Sequence, residues 1–355
     1  MPRRRTPGAH RLVAPIAGAA AIGVAALVLL AALLALGGYD VASALAALWR
    51  GSFGSAYAFF SSTLVRATPL LLAGLAVALA FRAGVWNIGA EGQLLAGATG
   101  AIAGAALPLP GPVRLALALL FAAIAGGAWA LPAALLRRRG VLEVISTIML
   151  NFIALNLVGY LVRGPLQEPT HAYPQSQTID AAARLPRFPG TRLHLGVGIA
   201  LAAAVALGIL MRRHAWGFRV RVVGANPRAA ASAGLIDVPR VTLEVFLVSG
   251  ALAGLAGGIE ATGVTYALYE GMSPGYGYTA IAVALLARLD PLLVAPSALL
   301  FGALEAGATA MQRDAGVPSA FVTVVEGSLV LLVLLLPVVT RAWAARSLGA
   351  RRADG

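Results

Sequence analysis

The 355-residue sequence has no cysteine and no lysine, and only 12% of it is charged. Without cysteine there is no disulfide, no thiol nucleophile and no thiolate metal site. Without lysine there is no phosphate-loop lysine and no Schiff-base lysine, so any ATP this protein uses must be hydrolysed on another chain. Histidine is scarce too: His10, His171, His194 and His214 lie near ends or in loops, and no pair shows metal-ligand spacing. A soluble domain is about 25% charged. A chain with half that share and 59% hydrophobic residues could not cover itself with polar surface in water. It reads as a polytopic membrane protein, not as the two or three soluble domains its length alone would suggest.

All 27 basic side chains are arginine, and the net charge is +13. That balance could suit nucleic acid, but the arginines sit between apolar runs, where they orient helices in a bilayer. A spanning helix needs about 20 mainly apolar residues. Ten runs approach that pattern: Leu12–Leu36, Thr63–Ala80, Gly84–Leu107, Val113–Leu136, Val141–Val162, His194–Met211, Val241–Gly263, Tyr276–Ala287, Leu292–Met311 and Pro318–Pro337. The first is longer than the ~7–15 apolar residues of a cleaved signal peptide, so it is expected to stay as a helix. With the N-terminus in the cytoplasm and the runs alternating, nineteen arginines fall inside and eight fall outside or near outer helix ends. That asymmetry favours an even number of spans with both termini cytoplasmic. The expected organisation is a cytoplasmic N-terminus (1–11), a transmembrane domain (12–340) and a cytoplasmic tail (341–355). An outer loop at 163–193 carries five prolines, and an inner loop at 212–240 is rich in arginine.

Gly250, Gly254 and Gly258 recur every four residues, as do Gly100 and Gly104. That spacing clears one helix face of side chains and lets another backbone approach closely, as in a dense helical bundle.

Two runs do not cross cleanly. Tyr276–Ala287 is 12 residues long, too short for a ~30 Å apolar core, and Gly and Pro flank it on both sides. The Gly84–Leu107 run opens with Asn87, Glu91 and Gln93 among glycines. Irregular backbone at membrane depth is tolerated only where protein or a water-filled cavity covers it. Two interrupted segments, one per half, point to a transport site. Asn87 and Glu91 share a face if that stretch is helical. Glu91 could equally cap a half-helix or pair with Arg82. Glu143, Thr147 and Asn151, at i, i+4 and i+8, make one polar stripe, although Arg137–Arg139 and the helix dipole explain Glu143 without a transport role. Glu244, Glu260, Glu305 and Glu326 are scattered in or near spans and suggest no proton relay.

In the inner loop, Asn226 is a good N-cap, Pro227 suits the first helical position and Gly234 suits the C-terminal cap. A helix of about seven residues is marginal alone. It is expected either to dock on a partner or to pack on its own surface.

The stretches Gly84-Val-Trp-Asn-Ile-Gly-Ala-Glu-Gly-Gln93, Glu143-Val-Ile-Ser-Thr-Ile-Met-Leu-Asn151, Gly224-Ala-Asn-Pro-Arg-Ala-Ala230 and Gly277-Tyr-Thr-Ala-Ile-Ala-Val-Ala-Leu-Leu286 resemble those of bacterial ABC-importer permeases. The similarity runs over about residues 40–340 and points to the nucleoside and simple-sugar branch of the group that also serves ribose and branched-chain amino acids. The resemblance implies an all-α membrane protein of about ten helices in two pseudo-repeated halves, with broken or re-entrant segments, in the bacterial inner membrane. It implies an extracytoplasmic solute-binding protein, a second permease subunit, and ATP-binding subunits that hold the ATP and magnesium. No cofactor, metal, catalytic residue or nucleic acid is expected on this chain, whose other partner is membrane lipid. Trp86, Asn87, Glu91, Gln93, Thr147, Asn151, Tyr276, Tyr278 and Thr279 would line the substrate pathway. Arg219, Gly224, Asn226, Pro227, Ala230 and Gly234 would form the coupling segment against the ATPase. The Glu-Gly-Gln form at 91–93 is similar to the first of two paired permeases, which favours a heterodimer. Trp86 departs from the Phe or Leu expected there, and its indole could stack on a base or fill space. The expected function is nucleoside import, with a simple sugar or a branched-chain amino acid as the alternative cargo. An ion-coupled secondary transporter would also have broken helices, but it would need a committed core carboxylate and no docking helix.

Overall fold

A computed structural model describes residue 24, residues 27–232, 234, 236–318, and positions 320, 321, 323, 324, 327, 328 and 331. Residues 12–23 of the first expected run, most of Pro318–Pro337 and both terminal tails lie outside the described residues. The described chain is built of helices, numbered here α1 (Leu27–Leu36), α2 (Val41–Ser52), α3 (Ala56–Arg82), α4 (Ala90–Ala105), α5 (Gly111–Arg138), α6 (Glu143–Arg163), α7 (Gly196–Arg213), α8 (Ala215–Ala225), α9 (Pro227–Ser232), α10 (Val238–Thr265), α11 (Tyr276–Leu286) and α12 (Val294–Ala315). Among the described residues six of these, α3, α5, α6, α7, α10 and α12, are long and apolar enough to cross a membrane. α4 and α11 are shorter, with 16 and 11 residues, as expected where the sequence is broken by Gly, Pro and polar groups.

The chain divides into two compact units, residues 1–49 with 307–355, and residues 50–306. In the first, the Tyr39 and Phe321 rings meet edge-on, 5.3 Å between centroids. The second contains the helices discussed below.

Its centre is made by glycine. A Cβ on Gly254 would overlap the Ala122 carbonyl oxygen and lie 2.7 Å from the Gly126 Cα; one on Gly250 would lie 2.5 Å from the Gly126 carbonyl oxygen. On the same helix, a Cβ on Gly257 would run into the Leu94 carbonyl. So α10 lies backbone-to-backbone against both α5 and α4, the packing expected of small residues at one-turn intervals. Gly100 and Gly104 press α4 onto α5 around Phe121 and Ala118 in the same way.

Among the described residues two π-helical turns break the long helices, at Phe59–Thr63 in α3 and at Ala261–Thr265 ending α10. Such turns arise where an extra residue is accommodated, often near functional sites. After the second, Tyr266 takes a left-handed backbone (φ 58), and the Arg184 and Arg187 guanidinium groups lie over its ring. The expected outer loop folds over this end of α10: Ser176 N–H donates to the Leu268 carbonyl, Ile179 N–H to that of Tyr266 and Leu185 N–H to that of Thr262.

Candidate functional site

After α3 the chain turns at Gly84 (φ 70) and runs without regular structure to Ala90. The third expected run therefore becomes helical six residues later than Gly84. Backbone groups exposed by that irregularity need partners in an apolar slab. The polar stripe of α6 supplies them. Glu143 Oε1 accepts from Trp86 N–H (3.4 Å), and Thr147 Oγ1 accepts from Ile88 N–H (3.3 Å). Asn151 donates from Nδ2 to the Ile88 carbonyl (2.9 Å) and accepts at Oδ1 from Gly92 N–H (2.8 Å). Three side chains, each one helical turn from the next, thus hold one irregular strap. Glu143 also pairs with Arg137 at 2.6 Å, the ion pair anticipated from the sequence.

Asn87 and Gln93 face each other inside the strap. Gln93 Nε2 donates to Asn87 Oδ1 (3.0 Å), and Asn87 Nδ2 donates to Gln93 Oε1 (3.2 Å) and Ser249 Oγ (3.0 Å). Ser249 passes the chain on to the Ala76 carbonyl (2.8 Å). Glu91 does not pair with Arg82. Its Oε2 accepts from Gly277 N–H at 2.7 Å, in the first turn of α11. The N-termini of α4 and α11 therefore meet at one carboxylate, the capping alternative read from the sequence but across two helices. Arg82 instead donates from Nη1 to the Leu289 carbonyl (3.2 Å).

Of the pathway residues expected from the sequence, Asn87, Glu91, Gln93, Thr147, Asn151 and Tyr276 are buried. Trp86 and Tyr278 are exposed, at 56% and 44%, and Thr279 is half-buried. The structure brings these two aromatics to the same strap: Asn151 Nδ2 donates to the Tyr278 hydroxyl at 3.3 Å, while Trp86 precedes Ile88 and tilts against Phe81, 4.9 Å between centroids. Among the described residues no group of three or more His, Asp or Glu is placed to hold a metal.

The inner loop folds locally as its residues dictate. Asn226 Oδ1 accepts from Arg228 N–H (3.1 Å) and Ala229 N–H (3.0 Å), capping α9. Pro227 is its first residue and Gly234 takes φ 68 beyond its end. Ala230 is buried, and Arg219 on α8 is half-buried with its Nε unpartnered. Gly224 lies against α3: a Cβ there would overlap the Arg82 carbonyl oxygen.

Sequence reasoning missed Ser249, Gly277 as the mate of Glu91, and the ion pair of Arg212 with Asp290 (2.8 Å). Ser249 adjoins the first glycine of the packing repeat, a visible signal of a closely approached face. The other two join positions far apart in the chain, for which no local pattern exists. His194 was also passed over. It is fully buried, with Nδ1 accepting from Gly196 N–H (3.2 Å) and Nε2 unpartnered.

A family model described as "Branched-chain amino acid transport system / permease component" matches residues 59–337. The guanosine ABC transporter permease protein NupP of Bacillus subtilis is 41% identical over 330 residues, 91% of this chain and 93% of that protein; a second guanosine permease protein of the same organism, NupQ, is 28% identical over 259 residues, 68% of this chain and 78% of its own. The glucose ABC transporter permease protein TsgB13 of Haloferax volcanii is 40% identical over 287 residues, 77% of this chain and 75% of that protein. The nucleoside ABC transporter permease protein NupB of Lactococcus lactis is 31% identical over 303 residues, 81% of each chain.

Proposed function

We propose a function from the premise that this chain belongs to the permease-component family of branched-chain amino acid transport systems. It is the transmembrane permease subunit of an ABC importer and forms the path for a nucleoside. The observation that carries this reading is the 41% identity to a guanosine permease along nine-tenths of both chains. The site is consistent with a neutral cargo: the strap's polar side chains are mainly amides and hydroxyls, and the carboxylates of Glu91 and Glu143 are bonded to backbone and to arginine.

In this reading the chain does no bond chemistry. A solute-binding protein delivers the nucleoside outside, and ATP with magnesium is bound and hydrolysed on separate subunits. Trp86, Tyr278 and Thr279 face the pathway. Asn87, Glu91, Gln93, Thr147, Asn151 and Tyr276 shape its wall by fixing the strap and α11. Arg219, Gly224, Asn226, Pro227, Ala230 and Gly234 belong to the segment that meets the ATPase; a six-residue helix capped at both ends has little stability of its own and suits a docking role. We read about ten helices in two related halves, and the arginine asymmetry supports an even number of spans with both termini cytoplasmic. A heterodimer with a second permease is supported by the resemblance of both NupP and NupQ to this chain.

A simple sugar is the second reading, favoured by the 40% identity to a glucose permease. The test is a thermal scan of the associated solute-binding protein against nucleosides, ribose, glucose and branched-chain amino acids. A ligand at one hundred times its dissociation constant adds about 2.7 kcal/mol. A shift with nucleosides alone is the expected result; a shift with glucose alone replaces the nucleoside by a sugar.

A further inference from the structure

The arginine-rich end of α7 and α8 is tied twice to the turn that follows α11. Arg212, in the last turn of α7, pairs with Asp290 through Nη2 and Oδ2 at 2.8 Å. Gly224, near the end of α8, lies against the Arg82 backbone, and the Arg82 guanidinium reaches the Leu289 carbonyl at 3.2 Å. The two ties thus flank α8, and both converge on residues 288–290. That turn is strained: Arg288 and Leu289 both have left-handed backbones, φ 51 and 59, without being glycine. Such residues persist where their surroundings over-determine them, and they gather at switch regions. Asp290 is fixed further by accepting from Leu292 N–H at 3.0 Å.

The other end of α11 is held as well. Glu91 binds Gly277 N–H, so this 11-residue helix is fastened at its start by Glu91 and just past its end by Arg82, the two residues that stand on either side of the strap. The strap in turn hangs on the Glu143, Thr147 and Asn151 stripe. A displacement of α8 therefore has a short route to α11 through Arg82, Leu289 and the Arg212–Asp290 pair.

We propose that Arg82 and the Arg212–Asp290 pair are positioning residues that tie the loop carrying α8 and α9 to α11, so that the loop and the short helix move as one body during transport. The inference rests on the reading of 212–240 as the loop that meets the ATPase. It makes the turn at 288–290 the place where the motion enters the membrane domain.

The test uses the complete importer in proteoliposomes, with guanosine as the probe, and reads guanosine imported per ATP hydrolysed. Asp290→Asn and Arg82→Gln each lower that ratio by about fivefold or more, the scale of a typical coupling energy, without a comparable loss of ATPase rate. The double reversal Arg212→Asp with Asp290→Arg restores it. A lesion of folding alone would lower yield and both rates together. Because the chain has no cysteine, Arg212→Cys with Asp290→Cys gives a second route: a reducible thiol cross-linker should raise the ratio and reduction should lower it again. Wild-type ratios in both single variants, or a cross-link that leaves the ratio low, overturn the tie. A wild-type importer that hydrolyses ATP but moves no guanosine overturns the functional reading instead, so the two failures are distinct.

Discussion

Gly277 donates its backbone N–H to the Glu91 carboxylate at 2.7 Å across 186 positions of sequence. The bond joins the first turns of α4 and α11, and no side chain separates them: a Cβ on Gly277 would overlap the backbone nitrogen of Glu91. Gly277→Ala should therefore force the two helix starts apart. Glu91→Ala should leave a buried N–H unpaired, which costs about 1–3 kcal/mol. Glu91→Gln keeps an acceptor and should lose less. Thermal unfolding of the detergent-purified importer checks this order; equal stability in all three variants would remove the junction from the argument.

Asn151 serves both the Ile88 carbonyl and Gly92 N–H. Asn151→Leu deprives both groups of their partner at once at a buried position, together with the Tyr278 hydroxyl. The expected loss is about 1–3 kcal/mol for each group left unpaired. Asn151→Asp keeps the acceptor for Gly92 but sets a buried carboxyl oxygen against the Ile88 carbonyl, so its loss should be no smaller than that of Asn151→Leu. The same unfolding measurement ranks them.

His194 lies just ahead of α7, and burial, with the Arg187 charge nearby, lowers its pKa to about 4 from an ordinary 6.5. The folded value is the lower one, so the unfolded chain takes up the proton first as pH falls. Stability from neutral His194 is complete above about pH 6.5, declines between 6.5 and 4, and levels off below 4. The full effect is on the order of 3 kcal/mol. His194→Gln should flatten the wild-type decline in a thermal scan across that window. A decline of the same size in the variant would assign it to other groups.

Asn226→Ala together with Pro227→Ala removes the cap that closes α9 on Arg228 and Ala229. Loss of a cap costs about 0.5–2 kcal/mol, a large share of what a one-and-a-half-turn helix has. The expected outcome is ATP hydrolysis that no longer drives uptake, with the transmembrane helices still folded. Normal uptake with normal ATPase co-purification would count against a docking role.

Trp86→Ala separates two uses of an exposed indole. If the ring stacks on a base, uptake of purine nucleosides should fall more than uptake of ribose. Stacking on an aromatic ring is worth about 1–3 kcal/mol per base in nucleic-acid complexes, so a loss of tenfold or so is the expected scale. Equal losses for both solutes would leave the contact with Phe81 as the role of Trp86.

The local features of this molecule were legible in its sequence because their causes are local. The cap at Asn226, the left-handed Gly234 and the short α11 follow from residues a few positions apart. The glycine repeat of α10 announced a close helix approach, although not that α5 and α4 would share it. The polar stripe on α6 was legible as one face, but its partner was not, since nothing in Glu143, Thr147 and Asn151 says that their mates are the backbone groups of 86–92. Asn87 and Gln93 looked like pathway groups because polar residues among glycines signal a break. That their amides are turned on each other was not legible, because no local rule pairs them. Long-range pairs such as Arg212 with Asp290 leave no pattern in a single chain, because each member is an ordinary charged residue at a helix end.

The meeting of α4 and α11 has an electrical meaning. A helix start carries about half a positive charge, so two of them bring roughly one. The carboxyl group of Glu91 stands between them and accepts from the start of α11, so the protein itself supplies the acceptor that the two ends call for. The two helix ends are thus answered from within the chain and not left open to a passing anion. Removing the Glu91 side chain would leave both positive ends unanswered at one point, a place with the sign that an anion seeks.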